Sequence, residues 1–152
     1  MVKVVDGLPE QVPGEFPQGI SLEEADGNSV ILDIGGGNYA PYAHFQPNSI
    51  LVNEGDRVSR GDVLALVGNS DNSLAPHLHF HVMSVPLSLA SNGLPYVVDS
   101  FTVTGRTPGT DAFAEAEAEG TPLKIILVDP PGMVTEAMPF DQTVVRFEQS
   151  SP

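Results

Sequence analysis

Ser29-Val30-Ile31-Leu32-Asp33-Ile34, then Gly35-Gly36-Gly37-Asn38, then Tyr39-Ala40-Pro41-Tyr42-Ala43-His44-Phe45 is the stretch that decides the fold. Its first part alternates, with Val30, Leu32 and Ile34 on one face of a strand. The glycine-rich centre is a hairpin turn, because glycine adopts the positive φ that tight hairpins demand. The last part is the partner strand. Alternation there places Tyr42 and His44 on one face and Ala43 and Phe45 on the other. Pro41 removes a ladder donor, which points to an edge strand or a bulge.

Working outward, the residues on both sides keep to short strands and turns. Residues 2–5 read as a first strand closed by Asp6-Gly7, and residues 8–28 as a long surface loop rich in Pro, Gly and acids. Asn53-Glu54-Gly55-Asp56 and Arg60-Gly61-Asp62 are turn signals. Residues 63–67 read as a buried apolar strand, 68–75 as a polar loop and 77–82 as a strand. Further on, strands are expected at 94–98, 101–104, 123–128 and 143–147, with an irregular Pro-rich link at 129–139. Residues 111–119 are the one good helix, with Thr110 or Asp111 as its cap and Gly120 as its stop. The expected fold class is mainly β with little helix: an antiparallel β-sandwich or partly closed barrel. Residues 1–104 form its main domain, and residues 105–152 are a C-terminal extension packed on it.

Composition narrows the function. The 152 residues carry 6 Lys+Arg against 20 Asp+Glu, a net charge of -14. That balance repels phosphate backbones and anionic lipid surfaces, so nucleic-acid and polybasic membrane roles are disfavoured. No apolar run is long enough to span a membrane. No signal-peptide h-region is visible in MVKVVDGLPEQVPG. The absence of Cys excludes disulfides, thiolate metal sites and a Cys nucleophile. No Ser sits in a G-x-S-x-G elbow. Gly35-Gly36-Gly37 lacks the Lys and the helix of a phosphate loop.

Histidine is where the chemistry concentrates. All 4 His fall between His44 and His81. His77, His79 and His81 alternate with Leu78, Phe80 and Val82, so the imidazoles line one face and the apolar residues the core face. Same-face neighbours on a flat strand stand roughly 7 Å apart. That spacing suits one His on a metal and the next a step away, acting on water or substrate. Neutral imidazole is a good zinc ligand and, near pH 7, a general base.

Three stretches then carry a family resemblance: Tyr42-Ala43-His44, the segment from Gly55-Asp56-Arg57-Val58 to Val67-Gly68-Asn69-Ser70, and Pro76-His77-Leu78-His79-Phe80. In this order and spacing the region 29–82 resembles the catalytic domain of the lysostaphin/LytM-type zinc endopeptidases, which cut peptide cross-links in bacterial peptidoglycan. The resemblance implies zinc as cofactor and His79 as a zinc ligand. His77 and His44 become the catalytic pair that orients or deprotonates water and stabilises the oxyanion. Tyr42 and His81 are placed at the substrate groove, which the loop before Val30 and the segment after Met83 would flank. A peptidoglycan peptide or another peptide is the implied partner, and a periplasmic, extracellular or cell-wall location is implied with it.

The chain departs from that family in one large respect. The family's other two zinc ligands come from an upstream H-x-x-x-D, and no His precedes His44 here. Asp6, Asp26 and Asp33 do precede it, but none has a His four residues before it. The expectation is therefore weak zinc binding and little hydrolysis. Either the reading frame lacks an upstream segment, or the chain is a degenerate member kept as a non-catalytic wall-binding or hydrolase-regulating module. His81 stands where the family commonly has an acid. A biotinyl/lipoyl-type carrier shares the hairpin-like segment 58–67 but needs a Lys at a hairpin tip, and the only Lys are Lys3 and Lys124, both in expected strands. Tyr39 is read as packing, and Glu115, Glu117 and Glu119 as a solvated acidic face.

Overall fold

The structure is a computed structural model that describes residues 3–15, 18–19, 21 and 25–148. It is mainly β, built from antiparallel sheets with one α-helix, as expected. The chain divides into two compact units, Met1–Leu94 and Pro95–Pro152.

The first unit is built on β1 (Lys3–Val5), β2 (Ser29–Gly35), β3 (Asn38–Ala43), β4 (His79–Phe80), β5 (Val82–Met83) and β6 (Gly93–Leu94). These strands form one sheet in the order β1-β2-β3-β5-β6, with β4 also paired to β3. The expected first strand is present from Lys3; Val2 lies outside the described residues. β2 and β3 form the hairpin, turning at Gly36 and Gly37 with φ of 63° and 76°. Both torsions are cheap only for glycine. Burial corrects the expected face. Val30 and Ile31, on opposite faces, are both buried, while Ile34 is exposed. The first half of β2 is covered on both sides, and its end emerges into solvent at the hairpin tip.

Pro41 accounts for a second difference. It is fully buried in β3, an interior strand, and not at an edge. Tyr42 pairs with Phe80 and Tyr39 with Met83, so Pro41 falls opposite His81. Proline has no N–H to offer there, and the partner strand is broken at that residue. The single strand expected at 77–82 is thus two short ones, with His77, Leu78 and His81 outside them. Leu78 is exposed instead of facing the core.

The two turn signals hold: Asp56 and Asp62 each accept a backbone N–H three residues back, from Asn53 and Ser59. The strand expected at 63–67 does not form. The run bridges Phe45 at Val67, and Leu64 and Leu66 accept from Leu51 and Gln46, but Val63, Leu66 and Val67 are exposed. An apolar run without alternation carries no face information.

The second unit holds β7 (Val98–Arg106), α1 (Thr110–Glu119), β8 (Ile126–Ala137) and β9 (Thr143–Arg146), with sheet order β8-β7-β9. Only Gly93 and Leu94 of the expected strand region around 94–98 pair in the first unit, and the strand expected at 101–104 is longer. α1 stops as expected: Gly120 is left-handed and its N–H reaches Ala116 and Glu117. Its N-cap is Gly109, with no side-chain cap, in place of Thr110 or Asp111. β8 runs through the Pro-rich segment expected to be irregular. It is an edge strand, where proline is tolerated. Its register jumps from Gly132 opposite Val103 to Leu127 opposite Gly105, and Pro130 and Pro131 fall inside that jump.

Candidate metal centre

His44 is placed by its backbone. β3 ends at Ala43, and His44 takes the left-handed conformation, φ 63°. Such torsions are uncommon for residues with a side chain, although His is among the more tolerant. The turn reverses the alternation that put His44 beside Tyr42. Ala43 pairs with His79 and Tyr42 with Phe80, so Tyr42 and His79 sit on opposite faces of the sheet. His44 lies with His79, their ring centroids 5.8 Å apart. Tyr42 packs on Phe80 at 4.9 Å, and burial raises its phenol pKa.

Three bonds hold His44 in that turn. Its N–H donates to the Asp26 carbonyl at 3.1 Å, and its carbonyl accepts from Gly68 N–H at 2.9 Å. Its Nδ1 lies 2.8 Å from the Ser70 carbonyl. A carbonyl only accepts, so Nδ1 carries the proton and Nε2 keeps its lone pair. This approach depends on glycine: a Cβ on Gly27 would collide with Ser70, and one on Gly68 with the Phe45–Gln46 backbone. Asn28, buried beside them, ties three segments together. It donates to Leu8 O at 2.8 Å and Phe45 O at 3.1 Å, accepts from Leu8 N–H, and its own N–H reaches Ser70 Oγ.

His77 is fixed by a short chain of side chains. Asn69 donates to Gln11 O and accepts from Ser73 Oγ at 2.7 Å. Ser73 Oγ is 3.1 Å from His77 Nδ1, which is also 2.9 Å from the Ala75 carbonyl. The proton again belongs on Nδ1, leaving Nε2 free. His79 comes from β4, and its Nε2 lies 3.1 Å from Nδ1 of His81. The break opposite Pro41 releases His81 from the sheet ladder for that contact.

The three imidazoles of His44, His77 and His79 converge. Each offers one ring nitrogen, and these nitrogens lie within 4.8 Å of one another. The 7 Å spacing of a flat strand does not apply, because His77 precedes the strand and His44 arrives from the opposite side. Electrostatics favour the neutral form of His44 and His79. Burial lowers the pKa of His44, and the neighbouring His77 and His79 push it further down, against a raising hydrogen bond to Ser70 and the charge of Asp26. Partial burial lowers His79 too, with His81 and His77 adding to the shift and Asp26 opposing it. Imidazoles held within reach of one ion, two with Nδ1 on backbone carbonyls and the third with Nε2 against His81, are a donor set suited to zinc or a similar divalent metal. The cluster can hold a metal.

A groove of about 230 Å³ is lined by Lys3, Asp26 and Ile31 on one side and by Pro86, Leu87 and Ser88 on the other. It is bordered by the loop before Val30 and the segment after Met83. Asp26 is common to the groove and to the electrostatics of the cluster. Sequence reasoning missed its place, because it was weighed only as half of an H-x-x-x-D pair. It also missed Ser70, Ser73 and Asn69, whose roles run through backbone carbonyls or small hydroxyls.

Residues 18–92 match the family model of Peptidase family M23. No solved structure matches the chain.

Proposed function

We propose, from the match of residues 18–92 to the model of Peptidase family M23 and from the imidazole cluster, that the chain is a metal-dependent peptidase-type domain directed at peptidoglycan peptides. The single observation carrying the reading is the convergence of His44, His77 and His79 from separate segments of an M23-type sheet. Peptidases of this family are metallopeptidases, usually with zinc, and typically act on the cell wall. A divalent metal held at the cluster would acidify water and polarise a peptide carbonyl.

The chain's own groups divide the remaining work. His79 serves as metal ligand. His44 and His77 present Nε2 lone pairs that take up a proton from water, and a ring so protonated can then donate to the developing oxyanion of a bound carbonyl. One lone pair serves a proton or a metal, never both at once. His81 orients His79, while Tyr42, on the other face of the sheet, packs on Phe80 away from the groove. The groove offers Lys3 for a peptide carboxylate and Asp26 for an ammonium.

The test is incubation of zinc-loaded protein with insoluble cross-linked peptidoglycan. Co-sedimentation with slow, chelator-sensitive release of new amino groups is expected, abolished in His79→Ala. Failure both to sediment and to release amine contradicts the reading. Sedimentation that persists with no amine released would point instead to a wall-binding module without turnover.

A further inference from the structure

The groove of about 230 Å³ carries opposite charges on its walls. Lys3 and Asp26 both line it, yet no ion pair joins the two among the described residues. Strand register explains where it lies. Lys3 stands opposite Ile31, and Ile31 stands opposite Pro41. Directly opposed residues share a face of a sheet, as do residues two apart on one strand. Ala43, two beyond Pro41, stands opposite His79. Lys3, Ile31 and His79 therefore project from one face of the sheet. Asp26 links groove and cluster: its carbonyl accepts the His44 N–H, and its charge acts on both His44 and His79. The facing wall, residues 86–90, is apolar except for Ser88. The Ser88 hydroxyl oxygen is buried and has no hydrogen-bond partner among the described residues. A buried hydroxyl left unpaired is costly, and few native ones go without a partner.

We propose that this groove binds an α-amino acid centre carried on an aliphatic chain, with its carboxylate on Lys3 and the Ser88 hydroxyl, its ammonium on Asp26 and its chain along Leu87 and Leu89. A ligand with only one of the two charges would desolvate the opposite wall charge without pairing it, so the groove discriminates in favour of the zwitterion. Leu87 and Leu89 are exposed, and an aliphatic chain laid on them removes apolar area from water. The volume is below the ~300–1,000 Å³ of pockets for drug-sized ligands and suits a single residue. A ligand hydrogen bond to Ser88 removes the cost of its unpaired hydroxyl. In a branched peptide, such a centre is the free end of a branch that has not been cross-linked. The proposal thus names a substrate class for the peptide reading above and rests on it, while the binding step itself requires neither metal nor hydrolysis.

The test uses the full chain and three probes: norleucine, norleucine amide and N-acetylnorleucine. The second lacks the carboxylate and the third the ammonium. Each is titrated against isotope-labelled protein, without zinc and with it, and followed by backbone amide shifts. Norleucine should bind with shifts concentrated at residues 26–31 and 86–90. Each blocked probe should bind roughly tenfold more weakly, the loss of one charge-assisted contact. Lys3→Met should abolish the preference for norleucine over its amide and keep the preference over the acetylated probe. Asp26→Asn should do the reverse. Ser88→Ala should weaken norleucine and leave its amide unchanged. Lys3 is exposed on an edge strand, so Lys3→Met carries the test if Asp26→Asn disturbs the His44 turn. Equal binding of all three probes, or of none, overturns the proposal and leaves the wall reading to its own amine-release assay. Discriminating binding by a chain that neither sediments with peptidoglycan nor releases amine upholds the groove's ligand and contradicts only the wall reading.

Discussion

At the level of single residues, His44 and His79 are rings whose partial burial favours the neutral form, and this has consequences without any metal. The pKa values of His44 and His79 are lowered from about 6.5 by burial and by their neighbours. Between the unfolded value and the depressed folded one, the unfolded chain binds more protons, so stability rises with pH across that window. Chelator-treated protein should therefore lose thermal stability as the pH falls below ~6.5. His44→Asn should flatten part of that slope, and a melting temperature that is level or rising on acidification would contradict the assignment. Asn28 makes a second case. Asn28→Ala strands Leu8 N–H, Leu8 O and Phe45 O, and should cost on the order of 3 kcal/mol. A denaturant midpoint shift at constant m-value measures it.

At the level of elements, what was legible in the sequence was what local chemistry dictates. The Gly36–Gly37 turn, the Asp56 and Asp62 turns and the Gly120 stop were readable because each depends on a residue and its near neighbours. The histidine cluster was legible as a set of candidates but not in its geometry. Alternation placed His44 by strand rules that its left-handed torsion breaks, and treated 77–82 as flat although Pro41 interrupts the pairing. The run at 63–67 misled because uniform apolarity does not reveal which side is covered. β8 misled in the other direction, since an edge position accommodates prolines that would end an interior strand. The close approach of 44–46 to 68–70 was invisible, because it depends on the missing Cβ of Gly68. Gly68→Ala should separate those segments, lower stability on the order of 2 kcal/mol and weaken zinc binding in parallel. Melting curves and a zinc titration with unchanged values would show that the approach does not position His44.

At the level of the whole molecule, the chain consists of two compact units with separate sheets, and every member of the histidine cluster belongs to Met1–Leu94. Ligand binding stabilises the structure that forms the site. Zinc should therefore slow hydrogen exchange in β2, β3 and the segment 68–81 and leave β7, β8 and β9 unchanged; equal protection throughout would contradict a centre confined to the first unit. The net charge of -14 supports the same reading, since it favours a cationic ion and disfavours phosphate-rich partners. Among the described residues no helix is long and apolar enough to cross a membrane. The account as a whole turns on whether the imidazole cluster holds a metal through His79. X-ray absorption at the zinc edge of the reconstituted protein measures this most directly. An imidazole-type nitrogen at about 2.0–2.1 Å, lost in His79→Ala, is predicted; a zinc with oxygen neighbours alone would contradict it.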